Sequence, residues 1–221
     1  MSLQDQFIYQ PPLEPLSIVY EDEDLIVIDK PAGLLSVMGR LPEHQDSAYL
    51  RILALYPEAK VTHRLDMATS GILMFAKHRQ AEVAISKMFQ ARAVEKQYIA
   101  LVQGEIAAQG EVDVPLITDW ENRPKQIVHF ELGKSAQTLF QLLDYNPVLD
   151  HSRVQLTPIT GRSHQLRVHM QYIGHPIVGD RFYHPQPHHG GLGRMALHAH
   201  LMYFQHPLQS KPVELKAQLP F

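Results

Sequence analysis

The run His63-Arg64-Leu65-Asp66-Met67-Ala68-Thr69-Ser70-Gly71 places a carboxylate two positions after an arginine, in a short polar stretch closed by glycine. The chain then becomes Ile72-Leu73-Met74-Phe75-Ala76, an apolar run with the length of a buried strand. A loop fed into a rigid strand can hold a reacting group in a fixed place. The company of Asp66 is basic: His63, Arg64 and, if the fold brings it near, the Arg162–Arg167 segment. A neighbouring cation favours the ionised carboxylate, which suits Asp66 to nucleophile or base chemistry better than to acid chemistry. The plain alternative is a loop or cap carboxylate with no chemical role.

Other chemistries are less well supplied. A glycosidase needs two carboxylates, and only Asp180 or Glu95 could approach Asp66 in space. The 14 histidines suggest a metal, with His188 and His189 adjacent and His198 and His200 on one face of a predicted strand. No HExxH pair accompanies them, so solvated or structural histidines are expected and no metal site. The absence of cysteine removes disulfides, thiolate ligands and thiol nucleophiles together, and fits a reducing compartment. With neither a phosphate loop nor a dinucleotide glycine pattern, no cofactor is expected. A net charge of −3, from 20 Lys+Arg against 23 Asp+Glu, speaks weakly against a polyanionic partner but says nothing of charge distribution. No apolar run has the length of a membrane span and no signal peptide opens the chain, so a soluble cytoplasmic protein is expected.

The elements that must position Asp66 follow from periodicity and punctuation. Residues 1–15, with Pro11, Pro12 and Pro15, read as an extended lead-in, and 16–221 as one domain. Ile18–Tyr20 and Leu25–Ile28 predict a hairpin, Lys30-Pro31 a turn, and Ser47–Tyr56 a short helix stopped by Pro57. Arg79–Arg92 carries a helical stripe of Ala81, Ile85, Met88 and Phe89. Val94–Gly104 alternates as a strand, followed by shorter candidates at Glu111–Leu116, Gln126–Glu131, Ala136–Leu143 and Arg153–Ile159. The loop Asp119–Lys125 holds the only tryptophan, Trp120, expected as a half-buried anchor. Thr160-Gly161-Arg162-Ser163 can cap a helix from His164 to Ile173, and strands at Ala196–Phe204 and Val213–Lys216 end the chain. Consecutive strands with three or four helices predict an α+β fold on a mixed, largely antiparallel sheet flanked by helices.

Several of these stretches together resemble the RluA family of pseudouridine synthases. His63-Arg64-Leu65-Asp66, with Thr69-Ser70-Gly71 and Ala76-Lys77, is similar to that family's signature. Lys96-Gln97-Tyr98 through Gly104 resembles a second block. Thr160-Gly161-Arg162-Ser163-His164-Gln165-Leu166-Arg167-Val168-His169, continuing through Gly174, Pro176, Gly179-Asp180 and Tyr183, resembles a third. Lys30-Pro31-Ala32-Gly33 and Leu197-His198-Ala199 are smaller matches. The blocks keep the family's order over about residues 18–216.

The resemblance implies isomerisation of uridine to pseudouridine in RNA, without a cofactor, in an active-site cleft across the sheet. It implies Asp66 as the essential carboxylate, Tyr98 as a ring over the uracil and Arg167 as the ion-pair partner of Asp66. Arg64 would enter the RNA where the target nucleotide flips out, and His63, Arg162, His164 and Gln165 would join it in RNA binding. No S4 RNA-binding module is expected, since fewer than 20 residues precede the first predicted strand. The stretches Pro115–Gln126, Leu34–Val37 and Gly39–Leu41 resemble the family's namesake. That likeness implies 23S ribosomal RNA and transfer-RNA stem-loops as partners, bound by a monomer. A non-catalytic RNA-binding factor on the same scaffold and a histidine-dependent metal hydrolase are the competing readings.

Overall fold

A computed structural model describes residues 8–186 and 191–221; His188 and His189 lie outside the described residues. In chain order the elements are β1 (Ser17–Glu21), β2 (Leu25–Lys30), α1 (Ala48–Leu55), β3 (Lys60–Val61), β4 (Ser70–Ala76), α2 (Arg79–Gln90), β5 (Val94–Gln103) and β6 (Gln109–Asp113). They continue with β7 (Leu116–Thr118), β8 (Gln126–Val128), β9 (Gln137–Asn146), β10 (His151–Pro158), α3 (Gln165–Tyr172), β11 (Leu197–Gln205) and β12 (Pro212–Lys216). Ten strands form one mixed sheet in the order β1-β2-β4-β11-β5-β10-β9-β6, with β12 on β11 and β3 on β4, and β7 and β8 make a separate hairpin.

Local chemistry explains most of these boundaries. Asp22 Oδ1 accepts the Asp24 and Leu25 N–H groups at 2.9 and 2.8 Å, closing the β1–β2 turn. Ser47 caps α1 by accepting the Leu50 N–H, and His78 caps α2 in the same way through Ala81. The strand expected at Glu111–Leu116 divides into β6 and β7 around Pro115, which has no N–H to give a ladder. The helix α3 starts one residue later than expected, and neither Thr160 nor Ser163 caps it. His164 stands at its N-terminus with φ 53°, in the left-handed region, and the Gln165 side chain accepts the Arg162 N–H at 3.0 Å. Trp120, expected to be half buried, is 67% exposed.

The sheet has a seam at its middle. β4 and β11 are parallel and pair only at Ser70 with His198 and Gly71 with Ala199. On one side, β2, β4, α1 and α2 enclose Ile26, Ile28, Leu73 and Phe75 on one sheet face and Leu25, Val27, Met74 and Ile85 on the other. On the other side, β5, β10 and α3 enclose Ala100, Val102, Val154, Leu156, Leu166 and Met170. Tyr98, opposite Ala199 in the β5–β11 register, packs against both bodies of core. Gly71 makes the seam possible. Its φ is +109°, and an added Cβ would run into the Ala199 backbone, 2.6 Å from the nitrogen and nearer still to the carbonyl oxygen.

Two histidines brace this region as neutral rings. His63 Nε2 accepts the Met74 N–H at 3.0 Å while its ring lies 5.0 Å from Phe89. Burial, with the charge of Lys96 adding to it, pushes its pKa down to about 3. His198 Nδ1 lies 2.7 Å from Ser70 Oγ, and burial, then Arg194 and His200, bring its pKa to about 4.

Two outcomes follow for stability. Gly71→Ala is expected to destabilise the fold by about 3 kcal/mol, read as a lowered urea midpoint, because both φ and the Ala199 backbone resist the methyl group. For His63 and His198 the unfolded chain binds protons more tightly than the folded one. Their stabilisation is therefore complete above pH 6.5 and is lost as pH falls from there toward about 3 to 4. Unfolding free energies from urea titrations at pH 7 and pH 5 should differ by at most roughly 2 kcal/mol for each ring, and His63→Gln should remove its share of that difference.

Candidate active site

Asp66 stands in the loop between β3 and β4, and that loop is fixed from beneath. Ser36 Oγ donates to the Leu65 carbonyl at 2.6 Å and accepts the Leu65 N–H at 3.0 Å. Gly33 N–H donates to Met67 O at 2.8 Å, and Thr69 N–H to Asp66 O at 3.1 Å. Lys30, fully buried, sends its Nζ to the carbonyls of Pro31, Leu34 and Met67 at 2.9, 2.7 and 3.1 Å. Burial drives its pKa down to about 7 against the opposing charge of Asp66. Three accepting carbonyls match the three donors that only the ammonium form possesses, which favours keeping the charge.

The Asp66 side chain, 27% exposed, meets Arg167 from α3: Nη1 lies 3.1 Å from Oδ2. Behind it, Arg167 binds the fully buried Asp180 through both remaining nitrogens, Nε to Oδ2 at 2.7 Å and Nη2 to Oδ1 at 2.8 Å. Asp180 Oδ1 also accepts the Phe182 and Tyr183 N–H groups at 2.9 and 3.2 Å. The Arg167 guanidinium lies 5.0 Å from the Tyr183 ring centroid and 5.2 Å from that of Phe182. Burial works against its charge, but the hydrogen bonds and charges of Asp180 and Asp66 hold its pKa above the ordinary arginine value.

A second set of hydrogen bonds runs from β8 to His164, which stands beside Asp66. The Gln126 N–H donates to the Tyr183 hydroxyl at 2.8 Å, and that hydroxyl lies 2.7 Å from His164 Nδ1. The Gln126 N–H does not use the hydroxyl's one proton, and His164 Nδ1 is the acceptor in hydrogen-bond contact with it. Burial lowers the His164 pKa, with the Asp66 charge opposing it, so the ring is neutral and its proton sits on Nε2. That nitrogen faces Asp66 Oδ2 at 3.8 Å. Tyr98, across Ala199 from Gly71, stays a neutral phenol because burial and the Asp66 charge both raise its pKa.

Of the residues singled out from sequence, Asp66, Tyr98, His164 and Arg167 converge. Arg64 is exposed beside them. His63 is occupied with Met74 and Phe89. Gln165 is buried and uses its amide internally, accepting from Thr160 Oγ1 and Arg162 N and donating to Gln137 O and Thr138 Oγ1. Arg162 is exposed and donates to Ser135 O at 3.0 Å, with no contact to Asp66. Asp180 approaches only through Arg167, so the two carboxylates share a cation rather than a substrate. Lys30 and Ser36 were not assigned a place in the site from local sequence, because their partners lie 37 and 29 residues away.

Among the described residues one group, Asp22, Asp24 and His206, has metal-ligand types within reach of one another. His206 Nδ1 accepts the Gln209 N–H at 3.1 Å, which leaves Nε2 as the ring's N–H, where a ligand needs a lone pair. That donor set does not fit a metal.

Comparison with known proteins identifies the family. Residues 24–172 match the family model described as RNA pseudouridylate synthase. The chain is 49% identical over 215 residues to the dual-specificity RNA pseudouridine synthase RluA of Escherichia coli (strain K12), covering 96% of this chain and 98% of that one. It is 50% identical over 204 residues to the protein of the same description from Vibrio parahaemolyticus, covering 90% and 82%. Among solved structures, human RNA pseudouridylate synthase domain containing 1 superposes with a TM-score of 0.79 at 30% identity, covering 96% of this chain and 86% of that one. The chain belongs to the RluA-type RNA pseudouridine synthases, enzymes that isomerise uridine within RNA.

Proposed function

We propose that Asp66 performs this isomerisation, and that the partly exposed carboxylate tied to a buried, doubly paired Arg167 is the observation that carries the assignment. In the reaction the C1′–N1 bond breaks, the uracil turns, and a C1′–C5 bond forms as C5 gives up its proton and N1 regains one. No water attacks, so one carboxylate suffices where a glycosidase needs two. Attack at C1′ and removal of the C2′ proton both require the ionised carboxylate, and the permanently cationic Arg167 favours that form. Arg167 and His164 both address Oδ2 of Asp66, which leaves Oδ1 free of their contacts for the substrate. Tyr98 offers an apolar ring face to the base from beside the seam. His164 donates from Nε2 toward Asp66 and adds a second fixed dipole.

Extruding a uridine costs a few kcal/mol of unstacking. Arg64, exposed two residues before Asp66, is placed to fill the vacated position, and Arg162 extends positive charge along the rim. The two bacterial relatives are named dual-specificity synthases, which supports more than one RNA substrate for this chain; we take these to be the 23S ribosomal RNA and transfer-RNA stem-loops that the family resemblance implies. Unpaired loops present base faces and edges that duplexes hide. We assign the catalytic unit to residues 16–221. Residues 9–14 are tied to its surface by Tyr9 on Asp46 O and by Arg51 on the carbonyls of Pro12 and Glu14. The enzyme acts as a cytoplasmic monomer in this reading.

RNA stem-loops carrying tritium at uridine C5 test the assignment, since the isomerisation releases that label. Asp66→Asn should cut release by at least roughly a thousandfold while leaving RNA binding intact; full activity in that variant would sink the mechanism. Asp180→Asn should lower kcat by about a hundredfold, equivalent to about 3 kcal/mol from a weakened buried pair, with KM little changed. A rise in KM alone would show that Asp180 shapes RNA binding instead.

A further inference from the structure

We propose that Trp120, backed by Arg123, is a stacking platform for an unpaired base of the substrate RNA flanking the target uridine. The proposal rests on the stem-loop reading above and adds a specificity-determining residue to it.

Trp120 is the only tryptophan in the chain and stands 67% exposed in the loop between β7 and β8. So large an apolar ring left in water is unusual for a side chain without a ligand. The loop that carries it is tightly closed. Asp119 N–H donates to Lys125 O at 3.0 Å, Lys125 N–H to Asn122 O at 3.1 Å, and the Asp119 carboxylate accepts Asn122 N and Nδ2 at 3.3 and 2.9 Å. The Arg123 guanidinium sits 4.7 Å from the Trp120 ring centroid and its Nε donates to the Trp120 carbonyl at 3.3 Å. One face of the indole is therefore taken by a cation that fixes its orientation. The other remains open, and little freedom is lost when a flat group settles on it.

The hairpin is also joined to the reacting centre. Thr118 pairs with Gln126, and the Gln126 N–H begins a series of hydrogen bonds through Tyr183 to His164, whose Nε2 lies 3.8 Å from Asp66 Oδ2. Trp120 is two residues from Thr118, about 7 Å of extended chain. Nucleotides leaving the flipped uridine would pass within reach of it.

Charge decides which part of the RNA is read. The loop holds Asp119 and Glu121 against Arg123 and Lys125, a balanced set that makes a poor phosphate patch. An arginine-backed indole instead suits the π-face of a base, which stacks without regard to its hydrogen-bonding edges. Platform binding of this kind tolerates more than one loop sequence.

Because Trp120 is the sole tryptophan, its emission reports on this one side chain. Adding a transfer-RNA anticodon-type stem-loop to the intact protein should quench it, and a fully paired duplex should not. In the tritium-release assay, Trp120→Ala should raise KM about 5- to 150-fold with kcat near wild type, and Trp120→Phe should recover most of the loss. The melting temperature of both variants should match wild type, since Trp120 is 67% exposed. Unchanged emission with saturating stem-loop, equal quenching by the duplex, or a wild-type KM in Trp120→Ala would each overturn the platform. The last two outcomes would instead mark the exposed indole as a general RNA contact or a contact for a protein. A wild-type enzyme that quenches with the stem-loop yet releases no label would refute the substrate reading and leave the platform standing.

Discussion

The guanidinium of Arg167 is shared between two carboxylates, and most of the site is arranged around that fact. A cation on a buried helix must be compensated, and losing one partner of such a pair typically costs about 3 to 5 kcal/mol. Asp180 supplies the compensation by accepting from Nε and Nη2, and is itself held by the Phe182 and Tyr183 N–H groups. Only Nη1 is left to address Asp66. The direction from which Asp66 is approached is therefore set by groups that never meet the substrate. The neutral His164, with its proton fixed on Nε2 by Tyr183, approaches the same oxygen from a second direction.

The other requirement is that two halves of a sheet meet without merging. β4 and β11 share two residue pairs and then part, which leaves the Asp66 loop on one side and Tyr98 on the other of a narrow join. Gly71 permits that approach, and Ser36, Gly33 and Lys30 stop the loop from relaxing into the space so opened. Precision at Asp66 thus comes from contacts that the buried Lys30 and Ser36 make to the backbone of its loop.

Much of this could be read from the chain, and the exceptions share a cause. Asp66 stood out because a polar loop ran straight into an apolar strand, and most elements followed from periodicity and turn residues. The helix α3 was found from Leu166 and Met170, but the amphipathic template assigns polar positions to solvent. It could not show that Gln165, Arg167 and His169 are buried as well, satisfied by partners on other elements. Lys30 read as turn punctuation because its three carbonyl partners include one 37 residues away. Trp120 was placed half inside by the usual behaviour of tryptophan, and only the closed loop with its stacked arginine explains its exposure. The split at Pro115 was legible in principle, since a residue without an N–H cannot continue a ladder. Ordered family blocks supplied roles that spacing alone left open, as with Tyr98, whose alternation on β5 marked it only as a strand residue.

Lys30 beneath the loop and Arg167 beside it are two positive charges set against the two negative charges of Asp66 and Asp180. With all four ionised, these charges sum to zero. To a polyanion approaching from a distance such a centre is nearly silent, neither drawing the phosphate backbone in nor pushing it away. On the proposed assignment, capture of the RNA falls to the exposed Arg64 and Arg162, and the deep charges act on the single nucleoside that reaches them. Chemistry and long-range attraction are divided between different residues, so the overall charge of −3 is no obstacle to a nucleic-acid substrate.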